Sequence, residues 1–259
     1  MSKQPIGIFD SGVGGTSIWQ EIHILLPKEH TIYLADSKNA PYGPKGKKKI
    51  IELSVKNTEL LLQKGCKLII VACNTATTNA IDYLRSHYNV PFIGIEPAIK
   101  PAALKSKHKS VGILATEGTL SSELFSKTSS LYASGIDVIE QNGDGIVQLI
   151  ESGELNSDEM NALLKLYLQP MIDANIDYLV LGCTHYPYLI PQLIELLPKH
   201  VKIIDSGQAV ARQTKNILES NGLLNTKNTH SKYQFYTNGN SEVMKKLLGE
   251  NYSVDFLDF

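Results

Sequence analysis

Leu68-Ile69-Ile70-Val71-Ala72-Cys73-Asn74-Thr75 is an unbroken apolar run that ends in a thiol, an amide and a hydroxyl. Tyr178-Leu179-Val180-Leu181-Gly182-Cys183-Thr184-His185 repeats that shape in the second half of the chain. Runs of Ile, Val and Leu this short and continuous read as parallel strands covered on both faces. The first strand is placed at Lys67–Ala72 and the second at Tyr178–Leu181. Six more are placed at Ile6–Phe9, Thr31–Ala35, Phe92–Ile95, Val111–Leu114, Asp137–Glu140 and Lys202–Ile204. Helical patterns lie between them. In Lys48–Lys64, Ile51, Val55 and Leu62 fall on one face, and Gly65 follows as a helix-ending glycine. Gln208–Ser220 reads as a further helix, closed by Gly222. The alternation predicts an α/β fold built on parallel sheets.

The echo is threefold. Gly7-Ile8-Phe9-Asp10-Ser11-Gly12 is matched by Gly112-Ile113-Leu114-Ala115-Thr116-Glu117. The two cysteine runs form the second pair, and Phe92–Glu96 with Val201–Asp205 forms the third. Three echoes in the same order at similar spacing predict two pseudo-symmetric α/β domains facing each other across a cleft. Residues 1–97 plus 208–259 form the first domain in this reading, and 98–207 the second.

The 259 residues are 42% hydrophobic and 20% charged, ordinary for a globular chain and far from disorder. Lys and Arg number 25 against 26 Asp and Glu, so no basic surface points to nucleic acid. No run approaches the roughly 20 apolar residues of a membrane span. Ile6 follows the N-terminus too closely for a secretory leader. Three cysteines cannot complete a disulfide framework and fit a reducing compartment. A cytoplasmic location is expected.

Ligands in open α/β sheets bind outside the carboxyl ends of the strands. Two facing half-sites would therefore bring Cys73 and Cys183 to opposite walls of one cleft. A free cysteine is more often a small apolar filler, but both of these sit among polar groups. Cys66, which precedes a strand and has no cysteine mate in the repeat, reads as structural. A thiol must ionise to act as a base, and a helix N-terminus or a cationic His185 would lower its pKa. Asp10, at the end of the first strand, is placed to accept or orient the proton of Cys73. The loop Asp10-Ser11-Gly12-Val13-Gly14-Gly15 is expected to offer backbone amides to an anion. It is no dinucleotide fingerprint, since position 17 is Ser17. Pro41 and Gly43 predict a tight turn that aims Tyr42 or the Gly43 backbone amide into the cleft. The cysteines lack metal-site spacing, and no lysine has a pyridoxal phosphate context, so neither metal nor cofactor is expected.

Phe9–Gly15, Pro41-Tyr42-Gly43, Ala72-Cys73-Asn74-Thr75-Ala76-Thr77 and Gly182-Cys183-Thr184-His185-Tyr186-Pro187 together resemble the signatures of bacterial glutamate racemase. The resemblance runs from Ile6 to about Asp205. It implies a cofactor-independent isomerase that supplies D-glutamate for peptidoglycan, with Cys73 deprotonating D-glutamate and Cys183 deprotonating L-glutamate. It implies substrate contacts at Asp10, Ser11, Pro41, Tyr42, Gly43, Asn74, Thr75, Thr184 and His185. Glu151 matches a family carboxylate that supports the histidine. The stretch Ala115–Thr119 fits a family loop whose threonines meet the substrate, which adds Thr116 and Thr119. The expected partners are the small-molecule substrate and a second copy of the chain as a homodimer. The competing readings are an aspartate racemase or related acid isomerase, a non-catalytic glutamate-binding relative, and a dithiol redox protein.

Overall fold

A computed structural model describes residues 3–227, 231–249 and 251–259. The chain begins with β1 (Ile6–Asp10), α1 (Thr16–Leu25), β2 (Thr31–Ala35), α2 (Gly46–Gln63), β3 (Leu68–Val71), α3 (Asn74–His87) and β4 (Phe92–Gly94). A second unit follows: α4 (Ile99–Lys105), β5 (Ser110–Ala115), α5 (Glu117–Leu120), α6 (Glu123–Tyr132), β6 (Asp137–Asn142), α7 (Ile146–Glu151), α8 (Asp158–Asp173), β7 (Tyr178–Gly182), α9 (Ile190–Leu196) and β8 (Lys202–Ile204). The chain then adds α10 (Gly207–Ser220), β9 (Tyr233–Thr237), α11 (Ser241–Leu248) and β10 (Val254–Phe256).

Two parallel sheets result, ordered β10-β9-β2-β1-β3-β4 and β6-β5-β7-β8. The run β2-β1-β3-β4 at one side of the first has the same order as all four strands of the second. The match extends to register: Gly7 pairs with Ile69 in one sheet, and Gly112 with Leu179 in the other. All eight strands expected from the sequence form. The third echo slips, however. Ile69 pairs with Phe92 and Leu179 pairs with Ile203, so the partner of Phe92 in the repeat is Ile203 and not Val201. Both candidates keep the strand's alternation, which is why sequence alone could not separate them.

Every residue of β1, β3 and β7 is buried, as an apolar run in a central parallel strand requires. The two matched glycines serve close packing. A Cβ on Gly7 would stand 3.0 Å from Cys66 Sγ; one on Gly112 would stand 2.7 Å from Met171 Sδ and 2.9 Å from Ile176 Cδ1. Cys66 and Ile176 hold equivalent places in the repeat, two residues before Leu68 and Tyr178. The thiol therefore stands where the other lobe uses isoleucine, and burial pushes it up to about 12.

β9 and β10, which no sequence motif announced, extend the first sheet beyond β2. Aromatic packing holds them there. Trp19 on α1 meets Phe235 edge-on at 4.8 Å and Tyr252 at 5.0 Å between centroids, and its indole N–H donates to Thr31 Oγ1 at 2.9 Å. Such pairs add roughly 0.5–1.5 kcal/mol each beyond the area they bury. Among the described residues, no helix is long and apolar enough to cross a membrane.

Gly112→Ala should destabilise the protein by about 1–3 kcal/mol, the usual range for overpacking a core. Gly7→Ala should cost less, because its nearest neighbours are farther away. Urea denaturation of the two variants checks this, and equal midpoints would contradict the packing account.

Candidate active site

β1 ends in Asp10, which is fully buried. Its Oδ2 accepts from the Gly15 amide at 2.7 Å and from Thr184 Oγ1 at 3.3 Å; its Oδ1 faces the Ser11 hydroxyl at 3.4 Å. Burial raises this carboxyl to about 6, against the lowering effects of His185 and the Gly15 amide. The glycine loop after it does not form an open anion cradle. Its amides are taken by the protein's own side chains: Val13 N–H donates to Glu151 Oε1 at 2.6 Å and Gly15 N–H to Asp10. The glycines make the approach possible. A Cβ on Gly12 would overlap Glu151, one on Gly14 would overlap His185, and one on Gly15 would stand 2.8 Å from both Asp10 Cβ and Tyr33 Oη.

Cys73 follows β3 as the N-cap of α3, and its sulfur accepts from the Ala76 amide at 3.3 Å. A helix end by itself eases ionisation of a thiol. Burial outweighs it, and with the Asp10 charge nearby it holds the thiol well above its ordinary value. The Cys73 thiol faces Ser11 Oγ at 3.6 Å, so Ser11 links Cys73 to Asp10.

The second half-site is wired differently. Cys183 follows β7, but a 3₁₀ turn at Tyr186–Leu189 comes next, with α9 behind it. Pro187 at the start of that turn tolerates the missing amide. Cys183 Sγ lies 3.7 Å from His185 Nδ1, and His185 Nε2 lies 2.6 Å from Glu151 Oε1. The Gly14 amide points at the same Nε2 from 3.2 Å, which would favour a bare nitrogen. The shorter contact with Glu151 decides: Nε2 carries a proton and donates it to the carboxylate. Burial disfavours the imidazolium, yet the hydrogen bonds and charges of Cys183 and Glu151 prevail and raise His185 well above its usual pKa.

The remaining expected residues gather around the thiols. Ser11, Tyr42, Cys73, Asn74, Cys183 and His185 line one narrow cavity of about 10 Å³, and Pro41, Gly43, Thr75, Thr116 and Thr184 complete its wall. Thr119 stands behind it: Thr75 Oγ1 meets Thr116 Oγ1 at 2.8 Å and Thr119 Oγ1 at 3.3 Å, which joins the two lobes. The Tyr42 ring reaches the cavity, but its hydroxyl is spent on the buried carboxylate Asp36 at 2.6 Å and on Asn57 at 3.1 Å. Asn74 departs furthest from this saturation: both polar atoms of its side chain are buried without a partner, against only Oδ1 of Asn57. Sequence reading missed Val147, which also lines the cavity, and gave no role to Asp36 or Asn57. The Asp-x-x-x-x-Pro-Tyr spacing carried the only signal for Asp36. Among the described residues, no three His, Cys, Asp or Glu side chains converge to hold a metal ion.

Two matched parallel-sheet lobes, each presenting a cysteine at the same strand end, define the class of the Asp/Glu/hydantoin racemases, and that family matches residues 6–214. The glutamate racemase of Herpetosiphon aurantiacus is 43% identical over 247 residues, 95% of this chain and 97% of its own. The crystal structure of the Bacillus anthracis glutamate racemase isoform RacE1 is similar with a TM-score of 0.88 at 30% identity, over 100% of this chain and 98% of that one. The Francisella tularensis glutamate racemase solved with D-glutamate has a TM-score of 0.85 at 29% identity, over 100% and 98%. The chain belongs to the glutamate racemase family, and is an amino-acid racemase of the isomerase class.

The Asp10 pKa gives a stability test. Its native value, about 6, lies above the ordinary 3.8. The native state therefore binds this proton more tightly than the unfolded chain, and stability falls as pH rises from about 4 to about 6. The loss is on the order of 3 kcal/mol. Asp10→Asn should remove that dependence. Denaturant titrations of both proteins at pH 4 and pH 7 check it, and an unchanged difference between the two pH values would refute the assignment.

Proposed function

We propose that this protein interconverts L- and D-glutamate by direct proton transfer between two thiols, without a cofactor, and so supplies D-glutamate for peptidoglycan. The observation that carries the reading is the placement of Cys73 and Cys183: equivalent strand ends of two repeated lobes, lining one buried cavity. Inverting a stereocentre by proton transfer needs a base on one face of Cα and an acid on the other, and a duplicated half-site supplies both.

From D-glutamate, Cys73 as thiolate takes the Cα proton while the Cys183 thiol delivers its own to the opposite face; from L-glutamate the roles reverse. Charge explains why each thiol has a relay behind it. Cys73 and Asp10 cannot both be ionised cheaply in one buried space. Moving the Cys73 proton through Ser11 to Asp10 creates the thiolate while keeping a single negative charge there. On the other side the His185–Glu151 pair offers Cys183 a cation. Burial strengthens these charges toward the developing carbanion and excludes water.

The unpartnered amide of Asn74 and the hydroxyls of Thr75, Thr116, Thr119, Thr184 and Ser11 are the groups we assign to the substrate's carboxylates and ammonium, with Pro41, Tyr42 and Gly43 as the wall beside them. A cavity of about 10 Å³ holds about one water molecule. Residues 98–207 must therefore swing away from residues 1–97 plus 208–259 to admit glutamate. Leu104 and Leu131, each 73% exposed on the contacting helices α4 and α6, are the side chains we assign to a homodimer contact.

Dialysed, chelator-treated protein should interconvert the glutamate enantiomers in a circular-dichroism assay and act far more slowly on aspartate. In D₂O, Cys73→Ser should lose Cα exchange chiefly from D-glutamate and Cys183→Ser chiefly from L-glutamate, each by about 10²–10⁴-fold. Cys66→Ser should exchange both at the wild-type rate. Loss of activity in Cys66→Ser, with Cys73→Ser and Cys183→Ser unaffected, would overturn the two-base assignment.

A further inference from the structure

The cavity is bounded on one side where α3 of one lobe meets α5 of the other. One of the seams there is made by a side chain with no part in the chemistry above. Asn79 lies in the second turn of α3, half-buried. Its Nδ2 donates to the Thr75 carbonyl of its own helix at 2.8 Å and to the Gly118 carbonyl across the cleft at 3.0 Å. A single amide group thus spans both lobes. Next to it, Gly118 rests on Gly43. A Cβ on Gly118 would stand 2.8 Å from the Gly43 carbonyl oxygen and 2.9 Å from Gly43 Cα, backbone atoms that cannot rotate away. The same seam holds the Thr75–Thr116 hydroxyl contact at 2.8 Å. Gly43, Thr75 and Thr116 are all wall residues of the cavity.

We propose that Asn79 is a positioning residue that latches the two lobes shut over the substrate chamber, through its bond to the Gly118 carbonyl and the glycine-on-glycine seat of Gly118 on Gly43. Three observations converge on this. The chamber, at about 10 Å³, is too small for glutamate as it stands, so under the proposed function the seam parts to admit it. An amide–carbonyl bond suits that duty, because it is directional when made and readily exchanged for water when broken. Water can reach it: Asn79 also lines an outer groove of about 570 Å³, which both lobes bound, through Lys47 and Thr78 on one side and Ser122 and Lys127 on the other. Opening therefore replaces the Gly118 carbonyl with solvent and strands no buried donor. The seat explains the glycine. Any side chain at 118 would hold α5 away from the Pro41-Tyr42-Gly43 turn and carry Thr116 and Thr119 off Thr75.

The inference rests on the proposed function only in naming what the latch encloses, and its test reads the lobes rather than the reaction. Asn79→Asp keeps the shape but turns a carboxylate toward two carbonyl oxygens; Gly118→Ala attacks the same seam from the other lobe. The readout is the rate at which iodoacetamide alkylates each cysteine of the full-length protein, followed peptide by peptide by mass spectrometry. Cys73 and Cys183 are reached through the cleft, whereas Cys66 sits in the core under α2 and reports loosening of the fold itself. Both variants should alkylate Cys73 and Cys183 about tenfold faster than wild type, as loss of one interlobe bond allows, with Cys66 unchanged. Wild-type rates at Cys73 and Cys183 in both variants, or a rise at Cys66 in step with them, would overturn the latch. A protein that never racemised glutamate would still show the alkylation difference. One that racemised it through two thiols could still show none. The two readings therefore fail separately.

Discussion

The contact between the Gly12–Gly15 loop of one lobe and the His185–Glu151 pair of the other governs the rest of the site. A buried imidazolium and a half-buried carboxylate are costly to desolvate, and they persist only when hydrogen bonds compensate. The loop supplies a second donor: the Val13 amide reaches the same carboxylate oxygen that accepts from His185. It can do so only because positions 12 and 14 have no side chain. The constraint also works in reverse. Once the loop is pressed against the second lobe, Ser11 and Asp10 at its base are fixed beside Cys73, and the cavity is assembled from both lobes at once.

The two half-sites share a frame but differ in their wiring. Gly7 and Gly112, Cys66 and Ile176, Cys73 and Cys183 occupy matched places, because the same strand order and register recur. The groups behind the thiols are not matched. Cys73 is backed by a hydroxyl and a carboxylate, Cys183 by an imidazole and a carboxylate. The consequence is electrostatic. Burial and a neighbouring negative charge hold the first thiol in its protonated form, whereas the second has a cation at hand. Two thiols in identical settings would compete for the same charge state; the asymmetry here suits the proposed exchange, in which one thiol gives up a proton as the other carries one.

The chamber is built more from what it leaves unsatisfied than from what it contains. Most polar groups around it are already paired: Tyr42 with Asp36 and Asn57, Asp10 with Gly15 and Thr184, Glu151 with Val13 and His185. Against that saturated background the two bare polar atoms of Asn74 stand out, since a buried amide without partners is destabilising by a few kcal/mol. Such a cost fits the substrate contact proposed for Asn74. The C-terminal strands play a quieter part. By adding to β2 through the Trp19 cluster, they bring Asn238 to the Asp36 carboxylate at 2.6 Å and stiffen the support of the Tyr42 turn.

How much of this was legible in the sequence follows from the range of each interaction. Continuous apolar runs specify buried parallel strands locally, so all eight strands were readable, and the repeated runs exposed the duplicated lobes. The residues around each thiol were readable because a strand and the turn after it are contiguous in sequence. The short aromatic strand at Tyr233–Thr237 was not, because its burial comes from Trp19, far away in the chain. Nor could sequence show that the loop amides are consumed by Glu151 and Asp10, that burial would override the helix end at Cys73, or that Asn79 reaches Gly118. Sequence determined which groups exist and on which strand ends they stand. Only the tertiary structure decided which of them face one another with water excluded, because desolvation and hydrogen bonding depend on neighbours that the chain brings together from its two halves.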